Sequence, residues 1–357
     1  MNPQEQVCHN RQCWVYARPG AGEIVIHSQK EQRYRCTRCG KTFSATTQTP
    51  FYRLHHPQAL VVIVVTLLAF GCPIQAIVAA FGLDERTVAA WQRRAGRHGQ
   101  RVHDHLVQAG QVTLGQVQVD ELRVRVVGGV VWLAMSISVT SRLWLGGAVS
   151  ATRDRALIRA ALTRVRQAGP VAALLLCTDG LISYPRQALR LFRQPVRTGG
   201  RGRPHLVLPA GVLIAQAIKR YARRRVRAVE RRIVRGSATA VAALLTATQG
   251  KETAVVNTAY IERLNATFRA RLAPLVRRSR ATVRQMATLT TGMWLVGSVY
   301  NFCTSHRSLS KSTPAQAAGL TDHRWTVHEL LTFPTPLPPV KRRGRPPNWL
   351  RELPDAA

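Results

Sequence analysis

Acidic side chains are scarce in this 357-residue chain, which has 17 Asp and Glu residues against 52 Lys and Arg residues. The formal net charge is +35 at pH 7. A chain with this charge repels itself unless an anionic partner covers it. Nucleic acid is the usual partner, because each contact with a phosphate releases counterions and gives affinity independent of base sequence. An anionic membrane surface is the weaker alternative.

The chain also lacks a hydrophobic run long enough to span a bilayer, a signal-peptide core and a long-period repeat. Residues 59–70 are apolar, but this run is too short and ends at Gly71 and Pro73. The first ten residues are polar. We therefore expect no membrane association and a cytoplasmic protein, with 46% hydrophobic residues to build a core.

Four of the seven cysteines fall within the first 50 residues, where a cytoplasmic setting disfavours disulfides. They form two pairs, Cys8-x4-Cys13 and Cys36-x2-Cys39. Residues 23–27 and 32–35 read as a short hairpin between the pairs. Two cysteine pairs joined by a hairpin are typical of a zinc ribbon, so residues 1–50 are predicted to bind Zn²⁺ through these four thiolates. His9 in place of one cysteine remains an alternative.

Residues 55–110 are predicted to form a helix-turn-helix DNA-binding domain. Its helices are expected at 60–70, 74–81 and 85–97. A Gly-containing turn precedes the third helix, and Asp84 is a plausible N-cap. In that helix Val88 and Trp91 can face the core. Four arginines then remain available to DNA: Arg86, Arg93, Arg94 and Arg97. An ordinary helical hairpin with a solvated basic face is the alternative.

From residue 116 the pattern changes to strands. Strands are predicted at 116–120, 123–127, 130–139 and 142–149, then a helix at 152–167 capped by Thr152, then a buried strand at 171–177. This order is typical of a ribonuclease H-like α/β core. We assign that core to residues 115–310, with a basic insert at about 190–255 that contains a very basic helix at 219–235. Residues 311–357 are assigned to a basic, Pro-rich tail, which is expected to be mobile after Pro334. The fold class is thus multidomain α+β.

The few acids of the predicted core are informative. Seven lie between residues 116 and 270: Asp120, Glu121, Asp154, Asp179, Glu230, Glu252 and Glu262. Asp154 fits a helix start, Glu230 is surrounded by arginines and Glu252 lies in a turn. The other four are candidates for a site.

Asp120 and Asp179 each end a predicted strand, at the rim of the sheet. Glu262 lies on a helix, on a face beside the apolar stripe of Ile261, Leu264 and Phe268. Cleavage of a phosphodiester requires stabilisation of both the attacking and the leaving oxygen. Two hard divalent ions held by carboxylates provide it. The three carboxylates are therefore predicted to be catalytic ligands of Mg²⁺ or Mn²⁺. Glu121 replaces Asp120 if the strand register shifts by one.

Several stretches resemble transposases of bacterial insertion sequences, of the type founded by insertion sequence one. They are Val119-Asp120-Glu121-Leu122, Thr178-Asp179-Gly180 with Tyr184, residues 261–280 beginning Ile261-Glu262-Arg263-Leu264-Asn265, and Tyr300-Asn301-Phe302 with His306 and Thr313-Pro314-Ala315. The N-terminal ribbon and helix-turn-helix are also similar to that group. The long insert and the basic tail depart from it.

The resemblance implies a DDE-type nuclease and strand transferase with a ribonuclease H-like core. Asp120, Asp179 and Glu262 would be the metal ligands, and Arg269 would contact the DNA backbone. Asn265 shares the face of Glu262 and is also expected at the DNA. Arg203 and Arg345 lie in two Arg-Gly-Arg-Pro segments that resemble minor-groove hooks, with a plain basic linker as the alternative.

The sequence therefore predicts a transposase that binds terminal inverted repeats, nicks DNA with metal-activated water and joins the freed 3′-hydroxyl to target DNA. We expect it to act on double-stranded DNA, both element ends and target, as a homo-oligomer. Two alternatives remain. One is a DNA-binding regulator with an inactive catalytic core, and the other is a nuclease without strand transfer.

Overall fold

The chain divides into two compact units in this computed structural model. The ribbon unit comprises Met1–Gln58 and Thr332–Ala357, and the sheet unit comprises Ala59–Leu331. The structure describes residues 2–18, 23–197, 203–223, 225–250, 253–275 and 285–340. Within these ranges no helix combines the length and apolar character needed to cross a bilayer.

The ribbon unit contains a three-stranded antiparallel sheet in the order β1-β2-β3. Its strands are β1 (Ile24–Ser28), β2 (Arg33–Cys36) and β3 (Thr42–Ser44), and a 3-10 helix spans Pro3–Glu5. The predicted hairpin is confirmed as β1 and β2, and β3 extends it. The hydroxyl of Tyr16 donates a hydrogen bond to the carbonyl of Pro338 (3.0 Å), so residues from distant parts of the chain build this unit.

Three helices precede the large sheet: α1 (Gln58–Ala69), α2 (Ile74–Phe81) and α3 (Glu85–Leu106). The turn between α2 and α3 forms as predicted. Gly82 adopts a left-handed φ of 63°, and Asp84 caps α3 by accepting hydrogen bonds from two backbone N–H groups. Val88 and Trp91 are buried, as their positions predicted.

The sheet unit is organised around a six-stranded mixed sheet in the order β11-β10-β7-β4-β5-β6. The strands from here on are β4 (Gly115–Val126), β5 (Gly129–Ser138), β6 (Trp144–Ser150), β7 (Leu174–Thr178), β8 (Gln194–Val196), β9 (His205–Val207), β10 (Val212–Ala222) and β11 (Arg225–Arg235). Strands β4, β7 and β10 run parallel, while β5, β6 and β11 are antiparallel to their neighbours. Strands β8 and β9 pair separately.

Further helices lie between and after these strands along the chain. They are α4 (Arg155–Ala168), α5 (Ser183–Leu191), α6 (Ala238–Gln249), α7 (Ala259–Arg271), α8 (Met286–Phe302), α9 (Pro314–Ala317) and α10 (Val327–Thr332), with 3-10 helices at Ala273–Leu275 and Arg307–Leu309. The predicted order of strands, helix and buried strand is confirmed by β4–β6, α4 and β7. The predicted cap of α4 is wrong: Asp154, not Thr152, is the N-cap and accepts from the N–H of Leu157 (3.0 Å).

The predicted basic helix at 219–235 is also wrong, because these residues form most of the β10–β11 hairpin. Arginine-rich composition does not distinguish helix from strand. The deciding interaction is not local, since Val212–Gln216 pair in parallel with β7 and complete the sheet. Part of the region assigned to an insert therefore supplies a strand of the main sheet.

Helix α3 was predicted to end at residue 97, but it continues to Leu106 because it packs against α8. Its Gly96 and Gly99 lie so close to α8 that a Cβ at Gly96 would meet the backbone of Thr291 at 2.1 Å. Helix α8 is in turn fixed to β6 by Asn301, whose side-chain amide donates to the carbonyl of Trp144 and accepts from its N–H (both 2.9 Å). The core around Trp144 thus holds α3, α7 and α8 against the sheet.

Candidate active site and cysteine cluster

Three of the predicted carboxylates, Asp120, Asp179 and Glu262, line one cavity of about 730 Å³ in the sheet unit. The other lining residues are Arg153, Gly180, Leu181, Ala217, Ile218, Lys219, Tyr221, Thr258, Asn265 and Arg269. The acids come from a strand, a loop after a strand and a helix. They are far apart in sequence, and only the fold brings them to one place.

Sheet register brings the two aspartates together. Strand β4 pairs with β7 as far as Gln118 opposite Cys177, and β7 ends at Thr178. Asp120 was predicted at the end of a strand, but it lies inside the continuous strand β4. It nevertheless stands beyond the last β7 pair, next to the loop that carries Asp179. The carboxyl end of β7 therefore creates the rim on which both aspartates lie.

Helix α7 brings Glu262 to the same cavity. The side-chain oxygen of Gln118 accepts hydrogen bonds from the N–H groups of Tyr260 and Ile261 (both 3.0 Å), so β4 holds the first turn of α7 over the sheet. Gln118 thus satisfies two backbone donors that a helix start leaves without intrahelical partners. Ile261 points into the core, and Glu262, the next residue, is turned toward the cavity.

Asp120 is the most perturbed of the three carboxylates. One oxygen accepts from the N–H of Glu121 and the other from the side-chain amide of Asn265 (both 2.8 Å). Burial raises the pKa of Asp120 to about 7, and the neighbouring charges of Glu121, Asp179 and Glu262 add to this increase. Negative charge is therefore costly at this position unless a cation joins it.

Cations of the chain lie beside the other two acids. Arg153 places a guanidinium nitrogen 3.8 Å from Asp179, and Lys219 forms an ion pair with Glu262. Glu262 also accepts from the hydroxyl of Thr258 (2.6 Å), and Asp179 accepts from the N–H of Leu181 (3.0 Å). These contacts orient both carboxylates and partly neutralise them.

Glu121 takes a different role from its neighbour. Its side chain is 1% exposed, forms an ion pair with Arg153 and accepts a hydrogen bond from the buried hydroxyl of Tyr184. Because successive strand residues point to opposite faces, Asp120 lines the cavity and Glu121 does not. Glu121 therefore fixes Arg153, which stands beside Asp179.

The donor set suits a hard divalent cation. Carboxylate oxygens are the ligands that Mg²⁺ prefers, and it retains water in its remaining positions. The side-chain oxygen of Asn265 is buried in the cavity wall and has no hydrogen-bond partner among the described residues, so a further oxygen donor is available beside Asp120. Among the described residues, the oxygens of the three carboxylates do not all lie within 4.8 Å of one another. Only four cysteines form a group of three or more metal-binding side chains whose ligand atoms are that close together.

Those four cysteines, Cys8, Cys13, Cys36 and Cys39, could hold zinc in the ribbon unit. The sulfurs of Cys8 and Cys39 are 3.8 Å apart, and those of Cys13 and Cys36 are 3.9 Å apart. A tetrahedral ion with Zn–S bonds of ~2.3 Å separates its sulfurs by about 3.8 Å, which these distances match.

The environment of the four thiols agrees with this fit. Burial raises the pKa of Cys13 to about 11 and also raises that of Cys8, while hydrogen bonds hold the pKa of Cys39 at about 7 against burial. Four thiolates at this spacing repel one another unless a cation neutralises them. His9, the alternative ligand, is outside the cluster and packs on the ring of Phe43 at 4.6 Å between centroids.

The residues predicted to contact DNA have different surroundings. On α3, Arg86, Arg93 and Arg97 are exposed on one side of the helix, and Arg94 is half-buried. Asn265 is 2% exposed and binds Asp120, while Arg269 lines the cavity. Arg203 is exposed, and Arg345 lies outside the described residues.

Sequence reasoning missed several side chains of the cavity, namely Arg153, Thr258, Lys219 and Tyr221, and it also missed Gln118, which holds the start of α7. Thr258 lies one helical turn before Glu262, which was a readable signal for a hydrogen bond along α7. Lys219 and Tyr221 were hidden by the incorrect assignment of a helix. Arg153 gave no signal among many arginines, because its role depends on contacts with Glu121 and Asp179.

Comparison with known proteins adds little to these observations. The chain matches no protein-family model, and it matches no curated protein sequence. Among solved structures it aligns with a chain from the cryo-electron microscopy structure of a simian T-cell lymphotropic virus intasome in complex with the PP2A regulatory subunit B56 gamma. That alignment covers 80% of this chain and 78% of the other at 10% identity, with a TM-score of 0.27. Similarity this low carries no argument about fold or activity.

Proposed function

We propose that this protein is a DDE-type DNA transposase, a polynucleotidyl transferase that cuts and joins DNA strands. The observation that carries the proposal is the meeting of Asp120, Asp179 and Glu262 in one cavity whose remaining charged residues are all basic. An acidic centre in basic surroundings suits a phosphodiester: the carboxylates hold divalent cations, and the basic side chains hold the phosphates.

The topology of the sheet supports a ribonuclease H-like catalytic core. Three antiparallel strands are followed by two strands parallel to the first of them, in the spatial order β6-β5-β4-β7-β10. Asp179 follows the carboxyl end of β7, and Asp120 lies in β4 just beyond its last pair with β7. Such rims are where catalytic groups can face a substrate while the apolar strand residues stay in the core.

Residues of the chain have separable tasks in this proposal. Asp120, Asp179 and Glu262 would bind Mg²⁺ or Mn²⁺, which when bound stabilises both the attacking and the leaving oxygen of the phosphodiester. Asn265 orients Asp120 through its amide. Arg153, Lys219 and Arg269 would attract the DNA backbone into the cavity, where Arg153 and Lys219 lie beside Asp179 and Glu262.

DNA recognition is proposed for other parts of the chain. The α2–α3 pair has the short turn of a helix-turn-helix, and Arg86, Arg93 and Arg97 are exposed along α3. Together with a zinc-bound ribbon, this pair would bind the terminal inverted repeats. We expect a homo-oligomer to assemble on paired DNA ends.

Asp179→Asn tests the proposal. DNA carrying the flanks of the gene is incubated with Mg²⁺, and nicking and joining to a target plasmid are measured. The variant should lose both reactions and retain DNA binding in a mobility-shift assay. Asp322→Asn removes the same charge from a side chain that is 94% exposed, so it serves as the matched control and should behave as wild type.

Three other results of these assays would contradict the transposase proposal. Full activity of Asp179→Asn overturns the assignment of the site. Binding without metal-dependent nicking by the wild-type chain identifies a DNA-binding regulator. Nicking without joining of pre-cut ends to the plasmid identifies a nuclease.

A further inference from the structure

The β10–β11 hairpin extends beyond the sheet as a two-stranded ribbon. Strand β10 pairs with β7 only from Val212 to Gln216, whereas its pairing with β11 continues to Ala222 opposite Arg225. In the part of the chain that the structure describes, residues 217–222 and 225–231 therefore have no third strand beside them, and they form what we call the free ribbon. The root of the free ribbon is a wall of the catalytic cavity, since Ala217, Ile218 and Lys219 line it.

The charged side chains of the β10–β11 hairpin are almost all positive. Nine of the 17 residues at positions 219–235 are Lys or Arg, and Glu230 is the single acid. Glu230 forms ion pairs with Arg220 and Arg232, so its charge is already matched. Arginine on an edge strand also discourages pairing with other chains. This many like charges beside a cavity proposed for a phosphodiester additionally attracts nucleic acid phosphates.

One aromatic ring of the free ribbon has no structural explanation. Tyr221 is 65% exposed, yet it lines the cavity with the three carboxylates. It lies two residues beyond Lys219, whose ammonium group binds Glu262. At a rise of ~3.3 Å per strand residue, its Cα is about 7 Å from that of Lys219, which is roughly the length of two stacked nucleotides.

We propose that the free ribbon binds an unpaired nucleotide next to the bond that is cut, with the ring of Tyr221 stacked on its base. This inference rests on the proposed function, because it takes the carboxylate cavity as the place of cleavage. A ring can stack on a base only where the face of that base is uncovered, and in a duplex the neighbouring base pairs cover it. The arginines of the free ribbon hold the adjoining phosphates.

Edge protection does not account for this ring. An exposed tyrosine offers a partner a flat apolar face and so works against the effect of the arginines. Its position at the cavity, and not elsewhere on the hairpin, is what a base-stacking role requires.

Binding measurements on the full-length, zinc-bound chain test the inference in magnesium-free buffer. The probes are a DNA duplex with a short single-stranded overhang and the same duplex fully paired. Wild type should prefer the overhang. Tyr221→Ala should bind the overhang DNA about tenfold more weakly, which is ~1.4 kcal/mol and within the range for base–aromatic stacking, and should bind paired DNA as before.

Two further variants separate the ring from its surroundings. Tyr221→Phe keeps the stacking face and should bind as wild type. Val226→Ala shortens the exposed side chain paired opposite Tyr221 and should also have no effect, which makes it the local control. 2-Aminopurine in the overhang should be quenched by wild type and Tyr221→Phe and not by Tyr221→Ala. Unchanged overhang binding by a folded Tyr221→Ala, or equal losses in Tyr221→Ala and Tyr221→Phe, would overturn the inference.

The binding assay stands apart from the catalytic one. Because it needs no cleavage, a wild-type chain that fails to nick DNA counts against the proposed function and leaves the binding comparison readable. A chain that nicks DNA but shows no preference for the overhang counts against the role of Tyr221 alone.

Discussion

The cysteine cluster and the carboxylate cavity are both candidate metal sites, and they are built in opposite ways. The cysteines lie within 31 residues of one another, and their sulfurs already lie within 4.8 Å of one another. The carboxylates are spread from residue 120 to residue 262, and Arg153 and Lys219 stand beside two of them. A closed set of four thiol ligands, three of them buried, suits a structural ion, whereas an open set leaves coordination positions for water and substrate. The same contrast predicts how each site responds to perturbation.

Removal of zinc should have the largest effect and should be confined to the ribbon unit. Cys36→Ser deletes a fully buried ligand, and metal-binding free energy in such sites is folding free energy. We expect backbone amides of β1–β3 to lose their protection in hydrogen exchange, while those of β4–β7 keep it. Cys72→Ser, at a cysteine outside the cluster, is the control. Protected β1–β3 amides in zinc-free Cys36→Ser would contradict a structural ion.

Asp120→Asn should stabilise the metal-free sheet unit at neutral pH. The folded-state pKa of Asp120 is about 7, above its ordinary value of 3.8. The contribution of this group to the free energy of unfolding is therefore complete below pH 3.8 and is lost as pH rises through 7. Asparagine avoids that loss. The variant should therefore gain on wild type between these pH values and then hold an advantage of at most about 4 kcal/mol, since each pKa unit corresponds to ~1.4 kcal/mol.

Chemical denaturation across this pH range checks the Asp120 prediction, with Asp322→Asn as the charge-matched surface control. Added Mg²⁺ should reverse the order, because it binds the wild-type carboxylate set and relieves the repulsion within it. An Asp120→Asn variant no more stable than wild type at any pH would show that the buried charge costs nothing.

Glu121→Gln should distinguish the two adjacent acids. The change weakens the contacts with Arg153 and Tyr184, and we expect a loss of about 1–2 kcal/mol in unfolding free energy because a buried charge-assisted hydrogen bond is removed. DNA cleavage should fall but persist, in contrast with Asp120→Asn. Tyr184→Phe removes only the hydroxyl and should have the milder effect on cleavage. Cleavage that survives Asp120→Asn and vanishes in Glu121→Gln would make Glu121 the ligand.

Lys219→Gln should have the smallest effect on stability, at most about 1 kcal/mol, because its ion pair with Glu262 is partly exposed. It should instead tighten Mn²⁺ binding several-fold, since Lys219 no longer competes for the carboxylate. Manganese titration followed by electron paramagnetic resonance measures this. The control is Arg220→Gln, on the same strand as Lys219. It breaks a surface ion pair with Glu230 of β11 and should leave Mn²⁺ affinity unchanged. Equal Mn²⁺ affinities in wild type and Lys219→Gln would show that the Lys219 ammonium group does not compete with the metal for Glu262.

Local patterns were sufficient for several elements. The cysteine spacing indicated the cluster, the apolar run before Asp179 indicated β7, and Asp84 indicated the start of α3. The signals for β7 and α3 lie within a few residues of the interactions that they predict, and the cysteine pairs lie within 31 residues of each other. The stripe of Ile261, Leu264 and Phe268 likewise placed Glu262 on the neighbouring face of α7, because helical periodicity is a local property.

Interactions between distant segments decided the rest. Residues 219–235 became strands because β10 completes a sheet with β7, and α3 became longer because its glycines pack on α8. Composition alone does not encode such pairings.

The sequence by itself determined which residues could bind metal: four paired cysteines, and a handful of acids in a strongly basic chain. Only the tertiary structure decided which acids meet. The register of β4 on β7 sets Asp120 beside Asp179, and Gln118 holds the start of α7 so that Glu262 reaches them. The physical reason is that the cysteine site closes within a segment of 31 residues, whereas the carboxylates converge only after non-local strand pairing and helix packing have formed.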